Sequence, residues 1–163
     1  IQQFTAYHST LDDMDADLDR LDEEFNFRPD IIAIDYLDLA KCSDTTIKED
    51  RKKIQANYHH AIRINKKRKT FTCSPSQVSK GAVNKEVIDM TDFAEDFGKA
   101  ANAHASFAMC RTPEEVKAKV GRIVSVMQRQ GQRHSDSNFV TVKIDEARGQ
   151  VIEYNSFEDI TDE

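Results

Sequence analysis

Asp35 closes an uninterrupted apolar run, Ile31-Ile32-Ala33-Ile34. Such a run predicts a strand buried on both faces. A carboxylate at the carboxyl end of a strand stands where parallel α/β sheets bind their ligands. An Asp there can lie beside a phosphate-bound Mg²⁺, although many strands end in Asp and the residue alone assigns no reaction. Gln77 occupies a comparable place, shortly after a second strand-like run, Thr70-Phe71-Thr72-Cys73.

Other reactive side chains carry less. Asp15, Asp17, Asp19, Asp22, Glu23 and Glu24 crowd one segment, but the Gly turn and ligand spacing of a Ca²⁺ loop are missing. A solvated helix face accounts for them. His59 and His60 are adjacent and cannot share a helical face, whereas a metal pair prefers i,i+4 spacing. They are expected to be structural. Cys42, Cys73 and Cys110 form no Cys-x-x-Cys pair, and buried thiols in a reducing cytosol are expected. Lys66-Lys67-Arg68-Lys69 is either a solvated helix end or a DNA contact.

The elements that position these residues follow from periodicity. Leu11, Met14, Leu18, Leu21 and Phe25 make one helical stripe. Ser9 or Thr10 can cap it, and Arg28-Pro29-Asp30 ends it. A second helix is predicted over residues 46–67, with Ile47, Ile54, Tyr58, Ala61 and Ile62 inward and Lys48, Arg51, Lys52, Lys53 and Arg63 outward. A polar loop with Lys80 and Lys85 follows the second strand, then a helix over residues 92–102 and a third short strand over 105–109. Thr112-Pro113-Glu114-Glu115 combines a capping box with Pro at the first helical position. Strands over residues 123–127, 138–144 and 151–154 close the chain, with turn signals at Gly131 and Arg148-Gly149. Alternating strands and helices predict an α/β fold: a mostly parallel sheet flanked by helices, extended at its end by antiparallel hairpins.

Composition bounds the function. In 163 residues, 32% are charged and the net charge is -6, which excludes a uniformly basic nucleic-acid coat but permits a local basic surface. The mean hydropathy is -0.65, and no apolar stretch approaches the roughly 20 residues that span a bilayer, so no membrane partner is expected. The chain begins at Ile1 without a charged-then-apolar leader and reads as a piece of a longer protein.

Three segments together carry a resemblance. Ile31-Ile32-Ala33-Ile34-Asp35-Tyr36-Leu37-Asp38-Leu39 resembles the Walker B strand of DnaB-like replicative helicases, an apolar run followed by Asp-Tyr-Leu-Gln-Leu, with Asp38 in place of Gln. Ser76-Gln77-Val78-Ser79-Lys80 resembles that family's Ser-Gln-Leu-Asn-Arg segment. Met127-Gln128-Arg129-Gln130-Gly131 resembles its Lys-Gln-Arg-Asn-Gly, with Met127 in place of Lys. Order and spacing match over residues 30–154, while residues 93–106 match the family poorly.

The resemblance implies residues 1–155 as the C-terminal part of a RecA-like helicase ATPase domain, an incomplete core without its P-loop portion, and residues 156–163 as an acidic tail. It implies ATP and Mg²⁺ as cofactors, with Asp35 holding Mg²⁺ through water and Gln77 sensing the γ-phosphate. Arg129 would be an arginine finger reaching a neighbouring subunit's nucleotide. Lys80 and Lys85 would touch the backbone of single-stranded DNA. Partners implied are a homo-oligomeric ring and a primase or helicase loader, in the cytoplasm of a bacterium if the protein is phage-encoded. The sequence contains no Gly-x-x-x-x-Gly-Lys-Ser/Thr, so the phosphate cradle is not among these residues. A non-catalytic RecA-like interaction or loader-type module, and a recombinase-like ATPase, are the alternatives.

Overall fold

The computed structural model describes residues 1–77, 102–129 and 139–153. The expected helix over residues 92–102, the loop carrying Lys80 and Lys85, the turn at Gly131 and the tail over 156–163 lie outside the described residues, apart from Asn102. The chain divides into two compact units, Ile1–Gln77 and Val78–Glu163.

The first unit contains α1 (Leu11–Phe25), β1 (Ile31–Ala33), a 3₁₀ turn (Leu37–Leu39), α2 (Asp50–Arg68) and β2 (Phe71–Cys73). Thr10 caps α1 in a reciprocal box: its Oγ1 accepts from the Asp13 N–H at 3.2 Å, and the Asp13 carboxylate accepts from the Thr10 N–H at 2.7 Å. The backbone donor from Thr10, then its hydroxyl, hold the Asp13 carboxyl below the usual range. Asn26 ends the helix in the left-handed region, with φ 51°. α2 starts at Asp50 rather than near Thr46, because Thr46 folds back through its N–H onto the Asp44 side chain in a local turn, at 2.9 Å.

Leu11, Leu37, Ala61 and Ile64 form the core of this unit, with Met14, Ile32, Ile34, Ala40 and Tyr58 packed against it. Of the expected α1 stripe, Leu11 and Met14 pack in this core, Leu18 and Leu21 are half-buried, and Phe25, in the last turn, is 67% exposed. The α2 stripe is Asn57, Ala61 and Ile64, displaced from the expected one, which missed that a polar residue holds a core position. β1 and β2 pair in parallel, with Ile31 opposite Phe71 and Ala33 opposite Cys73. Neither strand is buried on both faces. Ile32 points to the core while Ile31 and Phe71 are 64% and 62% exposed, because both helices of the unit pack on one side of a two-stranded sheet. The same alternation exposes Cys73, and Cys42 is only half-buried, so among the three thiols Cys110 alone is buried.

The acidic face of α1 is not wholly solvated, nor is the basic end of α2. Arg68 binds Asp15 at 2.5 Å and Asp19 at 2.6 Å, and Lys67 binds Asp15 at 2.8 Å. These pairs fasten α1 to α2 across about fifty residues of sequence. Burial alone would raise the Asp15 pKa, but hydrogen bonds from Lys67 and Arg68, with their charge, overcome it and hold the carboxyl below its ordinary value. A depressed carboxylate stabilises the fold above its unfolded pKa of about 3.9, and that stability is lost as pH falls through the lower folded value. Asp15→Asn is expected to cost about 1–2 kcal/mol near pH 7 after allowance for solvent screening. In urea titrations the gap between parent and variant should close as pH falls below about 4. A gap unchanged down to pH ~2 would reject the ion-pair account.

The second unit contains β3 (Ala105–Cys110), α3 (Pro113–Lys117), β4 (Val120–Gln128), β5 (Phe139–Asp145) and β6 (Gln150–Glu153). They form an antiparallel sheet ordered β3-β4-β5-β6. The expected mostly parallel sheet is thus replaced, among the described residues, by a two-stranded parallel sheet and a four-stranded antiparallel one: the fold is mixed α/β. The cause at β3 is connection length. Nine residues, 111–119, separate it from β4, and a parallel pair needs a crossover of about a dozen or more. Ala108, Cys110, Val124 and Val126 make this unit's core. The capping box at Thr112 forms as expected, and Glu115 serves both it and Arg122, whose guanidinium lies 2.7 Å away.

Candidate functional site

The pairing of β1 with β2 sets the site's floor. The Ile34 N–H donates to the Cys73 carbonyl at 2.9 Å, carrying the parallel ladder one residue past β1. Asp35 follows immediately, at the carboxyl edge, with an exposed side chain that makes no hydrogen bond or ion pair to another described residue. The Asp35–Tyr36 peptide is cis.

The turn after Asp35 is held at several points. The Leu37 side chain, 4% exposed, plugs the core, and its N–H donates to the Ser74 hydroxyl at 3.0 Å. Asn57, 3% exposed in α2, donates its side-chain amide to the Ala40 carbonyl at 2.7 Å. The segment before α1 braces the far side: the Tyr7 N–H donates to the Leu39 carbonyl at 2.7 Å and the Lys41 N–H to the Ser9 carbonyl at 2.9 Å. The Asp35 turn is thus held through its backbone and Leu37 rather than through contacts of the carboxylate.

Gln77 leaves the carboxyl end of β2, the strand beside β1, and its Nε2 reaches the Tyr36 hydroxyl at 3.4 Å, a long hydrogen bond. Asp35 and Gln77 thus share one edge, with Tyr36 between them. Tyr36, Ser74 and Asn57 were not among the residues singled out from sequence. Asn57 had a signal, a polar residue in register with Ala61 and Ile64, whereas nothing in the sequence distinguishes Ser74 from other loop serines.

Arg129 lies in the second unit, immediately after β4. Its N–H donates to the His104 carbonyl at 2.9 Å, extending the β3–β4 ladder, and its side chain is exposed. Lys80 and Lys85 lie outside the described residues. His60 is a structural residue, 12% exposed and 3.2 Å from Asp12, and His59 is exposed. Two open clefts in the first unit, of about 230 and 330 Å³, are lined by neither Asp35 nor Gln77.

Among the described residues, no three His, Cys, Asp or Glu side chains are grouped to hold a metal. A metal at Asp35 would take its remaining ligands from water and phosphate. That donor set suits Mg²⁺, which keeps several waters and needs only one or two carboxylates. No helix among the described residues is long and apolar enough to cross a membrane.

Two solved structures share this architecture. One, described as the ATPase domain of its protein, superposes with a TM-score of 0.75 over 90% of this chain, at 12% sequence identity. A DnaB-like replicative helicase, described with its interactions with primase, superposes with a TM-score of 0.74 over 90% of this chain, also at 12% identity. The chain therefore shares its fold with part of each of these two structures. It spans 52% of the first of these chains and 35% of the second. No protein-family model matches the sequence, and no curated protein is significantly similar to it.

Proposed function

We propose that the chain is part of the ATPase core of a DnaB-like replicative helicase, which hydrolyses ATP between ring subunits and moves along single-stranded DNA to unwind duplex. The observation that carries this reading is the shared edge: Asp35 and Gln77 at the carboxyl ends of adjacent parallel strands, on a fold matched over 90% of the chain. Phosphoryl transfer asks a protein mainly for positioning and charge. Asp35 would hold Mg²⁺ through water, on a turn fixed by Leu37, Ser74 and Asn57. Gln77 would meet the γ-phosphate, and its link to Tyr36 ties its position to that of the Asp35 turn. ATP with Mg²⁺ supplies the transferable phosphoryl group. Lys80 and Lys85 follow Gln77 by three and eight residues in sequence and would carry the DNA contact. Arg129 would serve the nucleotide of the adjacent subunit. Single-stranded DNA, further copies of the protein and a primase or loader are the partners this function needs, in the cytoplasm.

The backbone amides and Lys of a phosphate loop are not among these residues. The 163-residue chain alone is therefore expected to bind Mg·ATP no tighter than about millimolar and to show negligible turnover, since Asp35 cannot replace the cradle. Calorimetric titration checks this. Low-micromolar binding would reject the assignment of roles. In the complete coding sequence, DNA-stimulated hydrolysis lost on Asp35→Ala would support it; no hydrolysis at all would favour the non-catalytic module.

A further inference from the structure

The outward face of α2 carries charge that the described residues leave unneutralised. At about 100° per residue, the buried Asn57, Ala61 and Ile64 occupy an arc of roughly 60°. The exposed Arg51, His59, Arg63 and Lys66 occupy roughly 120° on the opposite side. Arg51, Arg63 and Lys66 make no ion pair or hydrogen bond with another described residue. Their neighbours behave differently. Lys52 and Lys53 hold Glu49 and Asp50, and Lys67 and Arg68 are spent on α1. In a chain of net charge -6, these three cations form a local basic surplus.

We propose that this face of α2 binds the phosphate backbone of a nucleic acid without reading its sequence. From Arg51 to Lys66 the stripe runs about 22 Å, long enough to follow several phosphates. Arg and Lys contacts of this kind position a strand and carry no base information. An acidic polypeptide is the competing anion. Docking a peptide helix on a helix face takes apolar anchors at helical spacing, and within this arc only the half-buried Ile62 is apolar. A phosphate backbone requires none. The proposal uses neither Lys80 nor Lys85, and it stands whether or not the chain takes part in ATP hydrolysis.

The test is fluorescence anisotropy of a labelled oligothymidylate of about 20 nucleotides with the 163-residue chain, across a salt series starting near 50 mM. The combined Arg51→Ala, Arg63→Ala and Lys66→Ala variant should bind about tenfold more weakly or worse. The slope of log affinity against log salt should fall in magnitude by about 2, at roughly 0.7 per lost phosphate contact. All three side chains are exposed and Ala is a strong helix former, so circular dichroism should be unchanged. Lys80→Ala with Lys85→Ala reports separately on the loop of the proposed function. Unchanged affinity in the triple variant overturns the proposal whatever the loop variant does, as does absence of binding by the parent at low salt. Displacement by polyglutamate as effective as by unlabelled oligonucleotide of equal charge would reassign the surface to an acidic polypeptide.

Discussion

Arg129→Ala, made in a complete ring-forming version of the protein, is expected to lower ATP turnover by about 10³–10⁵-fold while folding and nucleotide binding stay nearly intact. Charge in the transition state is spread over the γ-phosphoryl oxygens, and a guanidinium brought in from a neighbour stabilises it without entering the ground-state site. Such a residue has to be anchored through its backbone and solvent-facing at its side chain. The Arg129 N–H is fixed on the His104 carbonyl, and the residue is exposed just past β4. Mixing the variant with one disabled in its phosphate loop should restore part of the activity, because each subunit contributes what the other lacks. Hydrolysis at the parental rate by Arg129→Ala, with DNA present, would reject the trans-acting role and favour the non-catalytic module.

Asp35 and Gln77 are expected past the carboxyl ends of two parallel strands, a placement that depends on strand order and parallel pairing. β1 and β2 do pair in parallel, and both residues follow their carboxyl ends. Thr10 and Thr112 were equally readable, since a capping box is made within four residues. What the sequence concealed is long-range. Leu37 and Ser74 are 37 residues apart and Asn57 and Ala40 are 17 apart, and no periodicity announces either bond. The acidic run of α1 and the basic end of α2 each look solvent-facing alone; their pairing appears only once the two helices lie together. β1 misled for a related reason. An unbroken apolar run is the pattern of a doubly covered strand, yet the helices of this unit cover one face only, so Ile31 and Ala33 remain exposed. Strand–helix–strand order alone does not make a parallel pair. At β3, α3 and β4 the helix is five residues long, too short to cross over.

The same core that folds the first unit also seats the Asp35 turn through Leu37, and Leu11→Ala exposes that link. Leu11 is 1% exposed and packs with Leu37, Ala61 and Ile64. Removing its side chain leaves a cavity against residues anchored by their own hydrogen bonds, which limits collapse. Leu→Ala changes at such positions cost about 3–5 kcal/mol. That is a large part of the stability a small unit commands, about 5–15 kcal/mol for ordinary domains. The loss falls on the wall that seats Leu37, two residues beyond Asp35. Urea unfolding should therefore show a much lower midpoint, and hydrogen exchange at the Leu37 amide, bonded to Ser74, should quicken disproportionately. Phe25→Ala, at the exposed end of the same helix, should stay within about 0.5 kcal/mol of the parent. If Leu11→Ala does not fold, Leu11→Met conserves volume and should cost less than about 1.5 kcal/mol, with a smaller rise in Leu37 exchange. A Leu11→Ala protein as stable as Phe25→Ala would mean that Leu11 does not seat the Asp35 turn. A large loss of stability with Leu37 exchange unmoved would separate the core from the site and leave Ser74 and Asn57 as the groups that hold it.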